Sequence, residues 1–545
     1  MKASWLIAVA LGGAVVAQTH DTMVYALPAA VQITYVVPVL PAVDETLYNF
    51  EAIRLMYKPL LWIDRNIRID YARSIAESIT TKDGQHYTIR LNPKWHWSDG
   101  LPVTAADLVF DYSLIHSVTK KNISDYGSWG IGGFPDLVRS FKAVGPYEVK
   151  VTLTHPVNAL WFESNGLSQL TPLPKQAWDR YPGDPAKTLA WLQSHGDDPQ
   201  FIAKSPVDGP FKIYSFVNND HYTFVANPRY DGHKPSYTYF EMRYFTTTDA
   251  EYNALRVGEV QVGYLPTHLF NQRSIPGYTY VPASQYDIAY IYVNFKNPKY
   301  PFLKDHVVRE ALQLAVDQPG YVKVLLHGEG VAQYGPVPYV PPTYLSPYLK
   351  THVPYPYNPT LGRKLLEQDG WHLVHGVMTK GGYRLEFLLP YSSGNLLQQQ
   401  EAELFAEAAA QEGIRITLKP VPFDTLIGDL SNPSSWSLMY YGGWIYGLQP
   451  YPTNFGLFAS QGGSNQSGLA DPGIDRALER AHQAYPSTAQ ALDALYAYED
   501  YLATYLPVIW MPSADILYEI AQNVQGARQH ISPIGNISPQ YWSYR

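Results

Sequence analysis

The chain has 545 residues, of which 46% are hydrophobic and 16% charged, and its formal net charge is −8. This composition excludes a disordered, highly charged chain and predicts a globular protein of roughly three to four domains, or of two large lobes. The 40 Lys and Arg residues are scattered without a basic run, so no nucleic-acid partner is expected.

Cysteine is absent from the sequence. This excludes thiol catalysis, cysteine-ligated zinc, iron–sulfur clusters, structural disulfides and a lipid anchor on cysteine. Aromatic residues make up 14% of the chain, with 45 Tyr and 13 Trp. We expect part of this ring surface to line a cavity or to face water.

The amino-terminal segment is typical of a signal peptide. Lys2 precedes an apolar run over residues 5–16, which a Gly pair interrupts and which is too short to span a bilayer. Cleavage is expected before Gln18 or after Ala26, and we take 1–26 as the signal peptide. The alternatives are a buried helix and a membrane anchor. No later stretch approaches 18 apolar residues, so an exported protein in the periplasm or outside the cell is predicted.

Several short segments alternate between apolar and polar residues or are rich in β-branched and aromatic residues. Such segments, bounded by Gly, Pro and Asn, are typical of strands. The sequence therefore predicts strands over 31–37, 86–91, 209–214, 222–225 and 291–295.

Capping residues mark the starts of several predicted helices. Thr104 and Asp107 form a capping box, Ser487 and Gln490 form another, and Asp317 can cap a third helix.

Glycine marks the ends of two further helices. The sequence predicts a helix over 250–257 with Gly258 after its end, and a helix over 397–408 that ends at Gly413. A predicted strand over 414–419 follows, which completes a crossover unit of an α/β fold.

A search for catalytic motifs finds no P-loop, no Gly-x-Ser-x-Gly elbow and no His-Glu-x-x-His helix. His372 and His375 have the spacing of metal ligands on a helix, but the glycines on either side favour a solvated loop. No metal or cofactor is expected. Glycoside hydrolysis uses a pair of carboxylates, and among 48 Asp and Glu residues some pair always lies close enough together in space. A secreted carbohydrate-active hydrolase therefore stays open as the alternative function.

The order of these segments resembles family 5 of the extracellular solute-binding proteins over about residues 30 to 530. The most specific part is the stretch 87–110, which contains Trp97-Ser98-Asp99-Gly100 ahead of the capped helix. Further matches follow in the family's order: Gly209-Pro210-Phe211, Asn227-Pro228-Arg229-Tyr230, Leu255-Arg256-Val257-Gly258, Val308-Arg309-Glu310-Ala311-Leu312, Ala315-Val316-Asp317, Gly370-Trp371, Gly413-Ile414 and Pro507-Val508-Ile509.

The resemblance implies an α/β fold of the two-lobe, periplasmic-binding-protein type II kind, in its three-domain form, with mixed sheets and hinge-linked lobes. The implied boundaries are a discontinuous domain of lobe one over 27–65, 200–275 and 509–545, an inserted domain over 66–199, and lobe two over 276–508.

The resemblance also implies a function. The protein is expected to be the substrate-binding component of an ABC importer, which captures a peptide or another small solute between closing lobes and delivers it to the membrane permease. A monomer without enzymatic activity is expected.

In peptide-binding members that the chain resembles, a Trp is followed three residues later by an Asp that pairs with the ammonium group of the peptide. Here Trp444 is followed by Gly447 at that place. A buried ammonium without a carboxylate is costly, so a peptide held in that way is not expected.

Rings and backbone donors dominate the same segment, and they suit stacking and hydrogen bonding to a sugar, an aromatic compound or a peptide backbone. Trp444 is the foremost candidate. The other candidate ligand-binding residues in the segment are Tyr440, Tyr441, Gly443, Tyr446 and Tyr451, and those from the rest of the chain are Tyr48, Trp129 and Asn294, the last at the end of a predicted strand facing the cleft.

Overall fold

The computed structural model describes residues 21–545 except Ala30, Asn218, Ser274 and Leu448. The apolar run of the predicted signal peptide and the cleavage position before Gln18 lie outside the described residues.

The strands are distributed along the whole described chain. In chain order they are β1 (Thr22–Ala26), β2 (Ala76–Thr81), β3 (His86–Leu91), β4 (Val138–Gly145), β5 (Glu148–Leu153), β6 (Phe211–Val217), β7 (His221–Ala226), β8 (Tyr239–Arg243), β9 (Val262–Tyr264), β10 (Tyr278–Ala283), β11 (Asp287–Val293), β12 (Gly330–Val331), β13 (His372–Val374), β14 (Val377–Lys380), β15 (Tyr383–Arg384), β16 (Glu386–Ser392), β17 (Arg415–Val421), β18 (Leu438–Ile445), β19 (Val508–Met511), β20 (Ser513–Ala514), β21 (Ile516–Ala521), β22 (Val524–Gln525) and β23 (Ser543–Tyr544).

The α-helices alternate with these strands. They are α1 (Leu47–Met56), α2 (Ala105–Ser117), α3 (Ala159–Trp161), α4 (Lys175–Trp178), α5 (Pro185–Gln193), α6 (Pro199–Lys204), α7 (Thr248–Arg256), α8 (His306–Leu314), α9 (Gln318–Val324), α10 (Pro359–Gln368), α11 (Leu396–Gln411), α12 (Phe423–Leu430), α13 (Phe455–Phe458), α14 (Pro472–His482) and α15 (Thr488–Tyr505). Over the described part of the chain, none of them has both the length and the apolar character needed to cross a membrane.

Lobe one is built on a seven-stranded sheet with the order β10-β21-β9-β1-β8-β7-β6. β1 lies inside this sheet and runs parallel to both β8 and β9. Cleavage after Ala26 would remove this strand. The predicted boundary of the signal peptide at residue 26 stays a prediction that would cost the sheet this strand, whereas cleavage before Gln18 would leave β1 intact.

The inserted domain carries an antiparallel four-stranded sheet with the order β2-β3-β5-β4, against which α2 packs. The capping box predicted for α2 is present, because the backbone N–H of Thr104 donates to Asp107 Oδ2 at 2.8 Å. This domain provides one wall of the central cavity described below.

Lobe two is built on a mixed five-stranded sheet with the order β17-β16-β18-β11-β19. β16 and β17 are parallel and joined by α11, which confirms the predicted crossover unit. The chain turns at Gly413, whose φ of 82° lies in the left-handed region that glycine favours.

The chain crosses between the lobes twice, from β10 to β11 and from β19 to β21. β10 pairs with β21 in the sheet of lobe one, and β19 pairs with β11 in the sheet of lobe two. The predicted boundaries of lobe two, 276 and 508, therefore each differ by one strand from the limits of its sheet. By sheet membership, lobe two extends from about residue 287 to about residue 511.

Most of the predicted local elements are confirmed. The strands predicted over 86–91, 209–214 and 222–225 correspond to β3, β6 and β7, and Asp317 and Ser487 cap helices through their side chains. The strand predicted over 31–37 is wrong. This segment joins no sheet because its amides bond elsewhere: Thr34 N–H donates to Asn49 Oδ1 at 2.9 Å, and Val36 N–H donates to the Gly196 carbonyl at 2.8 Å.

Candidate functional site

A cavity of about 1200 Å³ lies between lobe one and lobe two. Lobe one contributes the start of α1, the loop before β4 and the segment around α3. Lobe two contributes the end of β18, the region of α13 and the end of α14. The volume exceeds the range of about 300–1,000 Å³ that is usual for sites of drug-sized molecules. The cavity therefore has room for a larger solute.

The start of α1 is fixed by its capping residues. Thr46 Oγ1 accepts from the backbone N–H of Asn49 at 3.2 Å, and Asn49 Nδ2 donates to the carbonyl of Asp44 at 2.8 Å. Asn49 is fully buried and so holds the loop before α1 in place. This positions Glu45 and Phe50 on the wall of the cavity.

The wall from lobe two is the end of β18. Gly443 packs so closely on β11 that a Cβ atom there would lie 2.0 Å from the carbonyl oxygen of Ile288. The next residue, Trp444, lines the cavity, and so does Gly443 itself. Of the predicted site residues elsewhere in the chain, Trp129 also lines the cavity, from lobe one. Two of the predicted rings, one from each lobe, thus line the same cavity.

Two predicted tyrosines point into lobe two instead of the cavity. The hydroxyl of Tyr440 donates to Glu401 Oε2 at 2.5 Å, and the side chain is 3% exposed. The hydroxyl of Tyr441 is 2.6 Å from that of Tyr290. Protein groups satisfy both hydroxyls in this conformation, and neither residue lines the cavity, so their role in ligand binding stays a prediction.

Tyr446 and Asn294 are also fully buried and do not line the cavity. The hydroxyl of Tyr446 donates to the carbonyl of Pro336 at 2.5 Å. Asn294 Nδ2 donates to the carbonyls of Pro433 and Trp436 at 2.8 and 2.9 Å. The sequence placed both in the cleft, whereas the structure uses them to hold loops of lobe two.

Tyr48 is half-buried on α1 and is likewise not part of the cavity wall. Burial, followed by the nearby carboxyl of Glu51, raises the pKa of Tyr48. A ligand contact by Tyr48 stays a prediction that this conformation does not support.

Tyr451 lies where the two lobes contact each other directly. Asn165 of the inserted domain donates through Nδ2 to the Tyr451 carbonyl and accepts at Oδ1 from the Tyr451 N–H, both at 2.8 Å. Nearby, Asn158 Nδ2 donates to the carbonyl of Ala481 at 2.8 Å. Tyr451 is fully buried in this contact, so it holds the lobes together and leaves no face for a ligand.

A ring contact completes the same interface. Trp161 of α3 stacks on His482 of α14, with centroids 4.1 Å apart and an interplanar angle of 11°. Burial lowers the pKa of His482 to about 3, so its ring is neutral at neutral pH. The structure therefore shows the two lobes in contact beside the cavity.

Charged side chains are few on the cavity wall. The carboxylates are Glu45, Asp136 and Glu479, and the wall also carries Arg54. Burial raises the pKa of Glu45, and hydrogen bonding from Ser128 opposes the shift. Burial lowers the pKa of Arg54 to about 10, which leaves it protonated at neutral pH.

Sequence reasoning did not single out Glu45, Arg54 or Trp161. Isolated charged residues of this kind occur throughout the chain, and a single Trp in a loop gives no sign of its partner in the other lobe. The position of Glu45 just before a capped helix was the available signal.

The structure has two α/β lobes, two chain segments that connect them and a cavity between them. This arrangement defines a hinged, two-lobed binding protein. Residues 70–466 match the model of the bacterial extracellular solute-binding proteins, family 5 (middle part), and the chain belongs to this family. The family consists of solute-binding proteins.

Individual relatives agree with this assignment. The chain is 25% identical over 420 residues to the oligopeptide-binding protein AppA of Bacillus subtilis, covering 74% of this chain and 70% of AppA. It is 26% identical over 443 residues to a putative ABC transporter peptide-binding protein of Brucella ovis, covering 78% and 75% of the two chains.

The fold is shared with solved structures. NikZ from Campylobacter jejuni in complex with Ni(L-His) superposes with a TM-score of 0.76 at 22% identity, covering 96% of this chain and 99% of NikZ. These comparisons give no support to the alternative of a carbohydrate-active hydrolase.

Proposed function

We propose that the protein is the exported substrate-binding component of an ABC importer. It captures a peptide or a similar small solute in the cavity between its lobes and delivers it to the membrane permease. It carries out no chemical step on the ligand. The observation that supports this most is the position of the cavity, whose walls come from both lobes.

A wall shared by two lobes gives ligand binding a conformational consequence. A solute that contacts both lobes binds the closed form more tightly than the open form and so favours closure. A solute that contacts a single lobe binds both forms equally and leaves the open–closed equilibrium unchanged. The closed form then presents a surface that the open form lacks, and this surface is what we expect the permease to recognise.

A peptide is the ligand class that the cavity suits best. Its volume exceeds that of usual small-molecule sites, and aromatic rings and glycine backbone line it, which suits apolar side chains and peptide amides. Relatives named for oligopeptide and peptide binding support the same class. A nickel chelate is the second candidate, on the fold likeness to NikZ with Ni(L-His). The described residues offer no cluster of three His, Cys, Asp or Glu that could hold a bare metal ion.

Isothermal titration calorimetry of the mature protein tests this function. The probes are mixtures of di-, tri- and tetrapeptides, oligosaccharides and nickel–histidine, and small-angle scattering follows the radius of gyration in parallel. We expect one peptide bound per monomer, a decrease in radius and no cleaved product by mass spectrometry. Binding of no peptide class, or turnover of a peptide or glycoside, would contradict the proposal.

A further inference from the structure

His482 connects the two lobes at one edge of the cavity. Its carbonyl accepts a hydrogen bond from the backbone N–H of Asn158 at 2.7 Å, and its ring stacks on Trp161 with the centroids 4.1 Å apart. Asn158 and Trp161 belong to the inserted domain of lobe one, whereas His482 ends α14 of lobe two. Both contacts therefore exist only while the lobes are together.

The ring of His482 lies against apolar and neutral groups. Trp161, which is 7% exposed, covers one face, and the centroid of the Phe455 ring is 6.1 Å away. Within lobe two, His482 Nε2 is 2.8 Å from Thr453 Oγ1. His482 is half-buried and its remaining surface lines the cavity, so a bound solute would withdraw the ring further from water.

Ionisable side chains around this contact are few. The helix α3 and the segment 453–458 carry none. Glu479, one turn earlier on α14, and Asp136 and His155 of lobe one line the adjoining cavity wall, and all three are exposed to water. Burial is what lowers the pKa of His482, and no charged group contributes to the shift.

Protonation of His482 is unfavourable in this contact. An imidazolium would lose hydration there, and the neighbouring Tyr451 offers no counter-charge, because burial raises its pKa and keeps it neutral. A cation–π contact with Trp161 would offset part of this loss, but the downward direction of the pKa shift means that the loss of hydration is larger.

Separation of the lobes changes the environment of the ring. Without Trp161 against it, His482 meets water and titrates near the ordinary pKa of a histidine, about 6.5. The closed form therefore binds fewer protons than the open form, and acid favours opening.

We propose that His482 acts as a pH-sensitive latch between the lobes: its neutral ring stacks on Trp161 and supports closure, and its protonation in mildly acidic solution releases lobe one and lowers the affinity for the solute. The inference goes beyond the proposed function, and it depends on closure of the lobes whatever the class of solute.

The test follows affinity and lobe closure against pH on the mature protein that begins at Gln18. Apolar tetrapeptides without ionisable side chains are titrated by calorimetry at pH 7.5 and pH 5.5 and at constant ionic strength. Small-angle scattering measures the radius of gyration of the ligand-free protein under the same conditions. We expect binding to be roughly tenfold weaker at pH 5.5, since a group that titrates near 6.5 only in the open form lowers affinity about tenfold per pH unit below that value. We also expect a larger radius at pH 5.5.

Variants assign the effect to the latch. His482→Gln cannot gain a proton, while its planar amide can still lie on Trp161 and reach Thr453, so it should bind at pH 7.5 and lose most of the pH dependence. The matched control is His352→Gln. His352 stacks on Tyr348, with centroids 4.6 Å apart, beside a threonine hydroxyl, but both rings belong to lobe two.

The control should keep the pH dependence of the unmodified protein. Comparing the variants at each pH cancels the titration of the peptide termini, and thermal melts at both pH values establish that the variants are folded. If His482→Gln does not fold, Trp161→Leu takes its place. This variant removes the stacking partner from lobe one, and the pH dependence of binding should again be reduced.

Several outcomes overturn the latch while leaving peptide binding intact. They are an unchanged pH dependence in the folded His482→Gln or Trp161→Leu protein, its loss in His155→Gln instead, and an affinity that rises towards pH 5.5. The last would mean that the imidazolium is favoured on Trp161. Binding of no tetrapeptide at either pH contradicts the proposed peptide function separately. The scattering then decides about the latch: an increase in radius at pH 5.5 that depends on His482 supports it, and an unchanged radius overturns it.

Discussion

Trp444 lies at the end of β18 and, like Trp129, is a candidate ring that both sequence and structure place on the cavity wall. Replacing it by Ala removes a stacking face from lobe two. We expect Trp444→Ala to weaken binding of the tetrapeptide mixture by at least about fivefold, since a stacked ring contributes roughly 1 kcal/mol beyond the area it buries. Calorimetry at 25 °C measures the change.

Tyr440→Phe is the matched control, because Tyr440 is an aromatic residue on the same strand that does not face the cavity. It should lower thermal stability by leaving the buried carboxyl of Glu401 without its donor, and it should leave peptide affinity unchanged. If Tyr440→Phe weakens binding as much as Trp444→Ala does, the assignment of the cavity wall is wrong.

Buried carboxyl groups make stability depend on pH. Burial raises the pKa of Glu401 to about 8, against hydrogen bonding from Tyr440, and raises that of Glu251 to about 8, against the backbone N–H of Tyr264. The folded protein thus keeps protons that the unfolded chain releases above about 4.5, so stability falls as pH rises towards 8. The buried, neutral His482 makes stability rise with pH, but only below its ordinary pKa of about 6.5.

We therefore expect the melting temperature to decrease between pH 6.5 and 8.5, measured by circular dichroism at constant ionic strength. Glu401→Gln should reduce this slope, because an amide cannot titrate and its oxygen still accepts from Tyr440. A melting temperature that rises over this interval would be inconsistent with neutral buried carboxyls.

At the level of the residue, the sequence was informative about Trp444 and misleading about the tyrosines. Trp444 follows the pair Gly442-Gly443, and Gly443 and Trp444 both line the cavity. The hydroxyls of Tyr440 and Tyr446 find acceptors on segments far away in the chain, such as Pro336, and nothing local in the sequence shows such partners.

β1 gives a prediction at the level of the element. Because it lies between β9 and β8, its loss would expose two strand edges in the middle of the seven-stranded sheet. We expect the exported protein to begin at Gln18, as determined by amino-terminal sequencing. A variant that begins at Gln18 should fold, and one that begins at Leu27 should be insoluble or melt at a much lower temperature. An amino terminus at Leu27 on a stable secreted protein would contradict this.

Local elements could be predicted where the signal is itself local. The alternation in β3 and the capping box of α2 each depend on residues a few positions apart, and both were confirmed. The segment 31–37 has the composition of a strand, yet its amides bond to the side chain of Asn49 and to the carbonyl of Gly196. β-propensity alone does not specify a pairing partner.

At the level of the molecule, the family resemblance predicted the two-lobe fold. The lobe boundaries that it implied differ from the limits of the two sheets. β10 and β19 are each adjacent to a crossing, and each joins the sheet on the side opposite to the one predicted. Which sheet a strand joins depends on pairing with β21 or β11, and a single sequence does not reveal such long-range pairing.

The contact between Asn165 and Tyr451 joins the lobes through two hydrogen bonds of 2.8 Å. Asn165→Ala would leave the buried N–H and carbonyl of Tyr451 unpaired only in the closed form, which should weaken closure by about 1–3 kcal/mol. Because ligand affinity scales with the population of the competent state, we expect weaker peptide binding and a larger ligand-free radius of gyration. Calorimetry and small-angle scattering measure both. Asn432→Ala, in an exposed loop of lobe two, should change neither. An Asn165→Ala protein with unchanged radius and affinity would show that this contact does not control closure.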